Sequence, residues 1–180
     1  DAGRLLVGGY FTRVNGIARP GLVALDATSG AVLPWNPALT RSTDPALVDM
    51  MVLTAGRLYI KGAFDTVGGA SRTDVAIIDV SSGAVLPGQL DPSLGHPSII
   101  GMAATPTRVY LYGGCRLNGY VVCGYLPDLT PLPGWTFPQA QTPMAATSSA
   151  LFAVTSTAAP PYAQLLLKLD PDTGVATAWP

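Results

Sequence analysis

The chain has 180 residues, of which 48% are hydrophobic and only 12% charged, with a formal net charge of −1. A near-neutral balance with scattered arginines excludes the electrostatic footprint of a nucleic-acid-binding protein, and no apolar run approaches the length of about 20 residues that spans a bilayer. The acidic residues are all aspartate, lysine occurs only at Lys61 and Lys168, and 20 glycines and 17 prolines punctuate the chain, so helix formers are scarce and short strands joined by turns are predicted.

From the N-terminus, an apolar run beginning at Arg4 ends at Gly8 and Gly9, where the lack of side chains predicts a close backbone approach. A loop carrying Phe11, Val14, Gly16 and Arg19 follows, then a strand over Leu22–Asp26, a turn over 26–30, and a short last strand ending in Leu33, Pro34 and Trp35. The next segment repeats this order more completely: strands around 48–54 and 57–63, a loop, a strand around 74–79, a turn over 79–83 and a last strand around 84–87. Phe64, Val67, Gly69 and Arg72 in its loop reproduce the mutual spacing of Phe11, Val14, Gly16 and Arg19. After a linker containing His96, a third copy starts at Met102 and a fourth at Met144, both matching the run that begins at Met51. The third copy repeats the double glycine at Gly113 and Gly114 and ends its last strand near Leu132, Pro133 and Gly134. The fourth has a strand over Leu165–Asp170, a turn over 170–174 and an end at Trp179.

Each unit is thus a four-stranded antiparallel meander, and equivalent positions lie 42 to 53 residues apart, the period of four-stranded propeller blades. Two strands of each unit are apolar almost throughout, as sheets covered on both faces by neighbouring blades require. The fold predicted is an all-β β-propeller in one domain, residues 1–180, with blades at about 1–39, 47–92, 98–138 and 141–180. Asp1-Ala2-Gly3-Arg4 aligns with Thr54-Ala55-Gly56-Arg57, so the first blade lacks its innermost strand. An open arc exposes sheet faces and edges, and the missing material is expected from the rest of a larger propeller or from another copy of the chain.

The repeats over residues 4–37 and 57–92 resemble those of secreted bacterial β-propeller proteins of unknown function, through the Phe-x-x-Val-x-Gly-x-x-Arg element, the following strand and the Asp-x-x-Ser/Thr-Gly turn. Blades three and four lack the first of these elements. The resemblance implies a secreted or cell-surface location and a non-enzymatic role, and carries no ligand site across. The turn and Trp have a weaker likeness to quinone-cofactor dehydrogenase propellers, but no acidic calcium constellation or cofactor pocket matches, and no cofactor is expected.

Cys115 and Cys123 would lie opposite each other across a hairpin with a three-residue loop at 118–120, which favours a disulfide over two free thiols and with it an oxidising compartment. Trp35, Trp135 and Trp179 follow last strands, as sugar-stacking platforms or, more in keeping with repetition, as packing over the neighbouring blade. The Asp-x-x-Ser/Thr-Gly turns read as side-chain-capped turns with glycine at positive φ; the one from Asp170 to Gly174 begins like a calcium loop but lacks its late acidic ligand. Arg19 and Arg72 recur where a structural hydrogen bond, blade to blade, is the simplest role, and His96 reads as a surface linker residue. No nucleophile elbow, histidine metal spacing or phosphate loop occurs, so no catalytic, cofactor or metal residue is predicted. The leading expectation is a non-catalytic secreted module binding protein or glycan. The alternatives are a carbohydrate-active or quinone-dependent enzyme whose catalytic residues lie partly in blades outside this chain, and a subunit of an extracellular filament or coat.

Overall fold

The structure is a computed structural model that describes residues 3–91, 99–113, 121–137, 140–156 and 164–178. The chain forms two compact units, Asp1–Gln89 and Leu90–Pro180, and all regular structure among the described residues is β-strand.

The first unit contains β1 (Arg4–Gly8), β2 (Arg13–Val14), β3 (Ile17–Ala18), β4 (Leu22–Asp26), β5 (Leu39–Thr40), β6 (Leu47–Thr54), β7 (Arg57–Ala63), β8 (Thr66–Val67), β9 (Ala70–Ser71) and β10 (Val75–Asp79). Strand β1 pairs antiparallel with β4 in a two-stranded sheet, and β6, β7 and β10 form a three-stranded sheet with β7 at its centre. The β6–β7 hairpin turns on Ala55 and Gly56, both at positive φ (46° and 73°), the geometry that matches the twist of the flanking strands. The segment that the sequence presents as a plain loop is itself a hairpin in both copies. Asn15 and Gly16 (φ 49° and 78°) join β2 to β3, and Gly68 and Gly69 (φ 58° and 78°) join β8 to β9.

The expected fourth strands of this unit are shorter than predicted. Val32 and Val85 each form a single bridge, to Leu25 and Ile78, although Leu33 and Leu86 also donate N–H groups to the carbonyls of Ala24 and Ile77 at 2.9 and 2.8 Å. Pro34 and Pro87 come next, and a residue without an amide proton stops the ladder there.

The second unit contains β11 (Ile99–Ala104), β12 (Val109–Gly113), β13 (Val121–Tyr125), β14 (Pro131–Phe137), β15 (Ala140–Ala146), β16 (Leu151–Ser156), β17 (Gln164–Leu169) and β18 (Ala176–Thr177). Here both sheets are complete four-stranded meanders in chain order, β11 to β14 and β15 to β18. Prolines 131 and 133 are tolerated in β14 because it is an edge strand.

Burial follows the apolar runs. Leu58, Tyr59 and Ile60 of β7 and Val75 to Ile78 of β10 are all at most 1% exposed, so successive residues are buried on both faces of the sheet. Within each unit one sheet lies on the next through a shared core. In the first, Leu6, Leu22, Ala24 and Trp35 meet Val48, Leu58, Ile60, Ala76 and Ile78. In the second, Ala103, Tyr110, Tyr112, Val122 and Trp135 meet Leu151, Ala153 and Leu169.

Candidate functional site

The most regular polar constellation among the described residues is the turn that closes the third strand in the first, second and fourth repeats. The carboxylate of Asp26 accepts the backbone N–H of Thr28 and Ser29 at 3.1 and 2.7 Å and the Ser29 hydroxyl at 2.8 Å. Asp79 accepts the same pattern from Ser81 and Ser82, with both hydroxyls as well, at 2.6 and 2.8 Å. Asp170 repeats it with Asp172 N–H, Thr173 N–H and the Thr173 hydroxyl. The glycine that ends each turn, Gly30, Gly83 or Gly174, has φ between 71° and 78° and donates to the carbonyl of the aspartate at 2.9 Å. These donors stabilise the ionised form. The backbone and hydroxyl of Ser29 hold Asp26 below its ordinary pKa, the Ser81 hydroxyl and the Ser82 donors lower Asp79 to about 2, and Thr173 does the same for Asp170. The three carboxylates are therefore occupied in capping their own turns, and the likeness of 170–174 to a calcium loop ends with Asp170 facing amide and hydroxyl donors. Among the described residues no group of three His, Cys, Asp or Glu side chains is placed to hold a metal ion.

Two of these turns are gripped by the preceding sheet. The Trp35 indole lies over Gly83, where a Cβ would meet its Nε1 at 3.2 Å, and the Trp135 indole lies over Gly174, where a Cβ would meet its Cε2 at 3.3 Å. Arg4 Nη1 donates to the carbonyl of Val80 at 3.1 Å. In the second unit the Tyr110 hydroxyl donates to the carbonyl of Pro171, the residue equivalent to Val80, at 2.8 Å, while Arg108 pairs with Asp172 at 2.9 Å. Burial pushes the Tyr110 phenol up to about 12, and its ring lies tilted at 5.0 Å from Trp135. Arg4, Arg108 and Tyr110 had no assigned role in the sequence. The signal was present in the repeat, where Arg4, Arg57 and Arg108 occupy one column.

Trp35 and Trp135 are 7% and 4% exposed, which corrects the sugar-platform idea for both: the ring faces are taken up by neighbouring backbone, because a flat indole fits over a glycine that has no Cβ. Trp135 also lies inside β14 instead of following a strand, whereas Trp179 lies outside the described residues. Arg19 and Arg72 have the same role as each other, but inside one sheet and not between two: Nη2 reaches the carbonyl of Leu33 or Leu86 at 3.1 or 3.2 Å, tying the hairpin loop to the last segment of its own repeat. The hairpin register expected for the cysteines is also corrected. Strands β12 and β13 pair Leu111 with Cys123 and Gly113 with Val121, so the connection runs over 114–120 and Cys123 faces Leu111 across the ladder. Cys115 and His96 lie outside the described residues.

The outer part of the first repeat's loop is among the exposed apolar parts of the described residues, with Leu5, Leu53, Ile100, Leu165, Leu166 and Val175 elsewhere. Tyr10 is 63% and Ile17 44% exposed, on either side of Arg13, which donates to the Gly16 carbonyl at 2.8 Å.

Antiparallel meanders of up to four strands, packed face to face in pairs within each unit, define the class of structure: an all-β fold of β-propeller type, whose sheets are its blades. No protein-family model matches the chain, and no curated protein matches it in sequence. Among solved structures it is similar to BamB from Moraxella catarrhalis, at 19% identity over 88% of this chain and 46% of that one, with a TM-score of 0.43. The chain thus spans less than half the length of that protein chain.

Proposed function

We propose that the chain is a non-catalytic, secreted or cell-surface β-propeller segment that contacts a protein or a glycan through the loops at its blade ends and assembles through its flanks. The observation that carries this reading is the engagement of the repeated polar residues. Asp26, Asp79 and Asp170 cap turns, Arg19 and Arg72 tie loops to sheets, and Trp35 and Trp135 seat one blade on the next. The side chains that an enzyme would present repeatedly are here part of the scaffold, while the exposed Tyr10 and Ile17 supply an aromatic and an aliphatic contact of the kind binding surfaces favour. The test combines a glycan array and a pull-down from the native medium with the purified chain and its Tyr10→Ala variant. Binding that falls at least tenfold in the variant supports the reading. Hydrolytic or redox turnover by the chain with no retained partner sinks it.

Secretion rests on the family resemblance and on a Cys115–Cys123 bridge. A structural bridge of this kind resists the glutathione pool, so the chain unfolded without reductant should take up no alkylating agent and should take up two equivalents after reduction. Alkylation of both thiols before reduction would remove the bridge and weaken the assignment to an oxidising compartment.

A further inference from the structure

Three hairpins of the first unit turn on two residues at positive φ: Asn15-Gly16 (49° and 78°), Ala55-Gly56 (46° and 73°) and Gly68-Gly69 (58° and 78°). Of these only the first carries a carboxamide, with a glycine directly after it. Asn15 and Gly16 are both exposed, and a Cβ on Gly16 would meet nothing within 4 Å, so no neighbouring atom crowds the peptide that joins them. Gly16 also lies outside the β2–β3 ladder, whose last pair is Val14 with Ile17. Asn36 is the opposite case: Pro37 follows it and has no amide proton, and its Oδ1 accepts the N–H of Ala38 at 3.1 Å.

We propose that Asn15 is a site of spontaneous modification in the folded chain, converting to a mixture of aspartate and isoaspartate with water as the only co-reactant. The Gly16 nitrogen forms a bond to Cγ of Asn15 and closes a five-membered imide; the Cγ–Nδ2 bond breaks, and the proton of the attacking nitrogen leaves with Nδ2 as ammonia. Water then adds to one of the two imide carbonyls. Ring opening at Cγ leaves aspartate, and ring opening at the backbone carbonyl leaves isoaspartate, in which the main chain runs through the side-chain carbon. Both reacting groups belong to adjacent residues, so the first step has the advantage of an intramolecular reaction. It requires the turn to rotate the Gly16 nitrogen against Cγ, and little resists this. Strands β2 and β3 have two residues each, and the next bond beyond them is from the Arg19 N–H to the Thr12 carbonyl at 2.9 Å; so short a ladder belongs to the low-stability end of a structure, where local opening is frequent. Either product adds one negative charge to a chain of net charge −1. Isoaspartate also lengthens the connection by one methylene, which removes the match between a two-residue turn and the twist of its strands. The hairpin, with the Arg13 bond to the Gly16 carbonyl, is loosened. The inference is independent of what the loops bind.

The test ages the folded chain at neutral pH in heavy-oxygen water and digests it in ordinary water, so that only conversion during ageing carries label at the residue. Fragment masses place the label. Position 15 is expected to carry it in both products, with isoaspartate present, at least about tenfold above position 36. The yield rises with pH, because the attacking nitrogen must give up its proton. Asn118, which is also followed by glycine and lies outside the described residues, is scored separately. Asn15→Gly, which copies the Gly68-Gly69 turn of the second repeat, is expected to fold as the wild type does by circular dichroism and to carry no label there. In the converted fraction the Arg19 amide is expected to exchange with deuterated water at least about tenfold faster than in the fresh chain. A folded chain that stays unlabelled at position 15 overturns the proposal, and label appearing there only after unfolding in urea would show that the turn itself holds nitrogen and carboxamide apart. Aspartate without isoaspartate overturns the imide route, and unchanged Arg19 exchange overturns the loosening of the hairpin.

Discussion

Asp79 caps its turn with four donors converging on one oxygen, and this gives the fold an acid-sensitive element. Its carboxyl is lowered from 3.8 to about 2, so the contribution to stability is complete above the unfolded value and is lost as the pH falls through the folded one. The melting temperature is expected to drop between about pH 4 and pH 2, and Asp79→Asn, which cannot ionise, should flatten that part of the profile. Parallel wild-type and variant profiles would exclude the capping charge as the cause. Two glycines separate the steric from the conformational role of that residue. A Cβ at Gly62 would collide with the carbonyl oxygen of Leu47, while at Gly30 it would meet nothing but sits at φ 71°. Gly62→Ala is expected to cost about 3 kcal/mol because it forces β6 from β7, and Gly30→Ala about 1 kcal/mol because only the left-handed backbone is strained. Urea melts that rank them the other way would show that β6 and β7 yield more easily than their register implies.

The junction between successive blades is made by a flat ring on a side-chain-free turn. Among the described residues the indole N–H of the buried Trp35 has no hydrogen-bond partner, so its value to the first unit is packing and not hydrogen bonding. Trp35→Ala is expected to destabilise by about 3–5 kcal/mol through the cavity left over the turn, and Trp35→Phe, which keeps a ring there and loses no bond, by less than half as much in the same urea melts. Equal losses would place an unrecognised acceptor at Nε1. The hairpins β2–β3 and β8–β9 were legible only as a spacing of Phe, Val, Gly and Arg; their strands have two residues each, too short for any alternation to register. The last strands were legible as elements but not in length, because a terminal proline limits pairing in a way that depends on where the neighbouring strand ends.

The all-β class, the four-strand repeat and the turns closed by aspartate were decided by the sequence alone, because strand apolarity, turn chemistry and the period of the repeat are local or additive properties of the chain. Which partner each repeated side chain takes was decided only by the tertiary structure. Arg19 and Arg72 bond within their own repeat, Arg4 and Tyr110 reach the next one, and Trp35 and Trp135 are covered instead of presented. These outcomes depend on the distance between residues up to 76 positions apart in the chain, and one sheet's register against another's is not written in either strand.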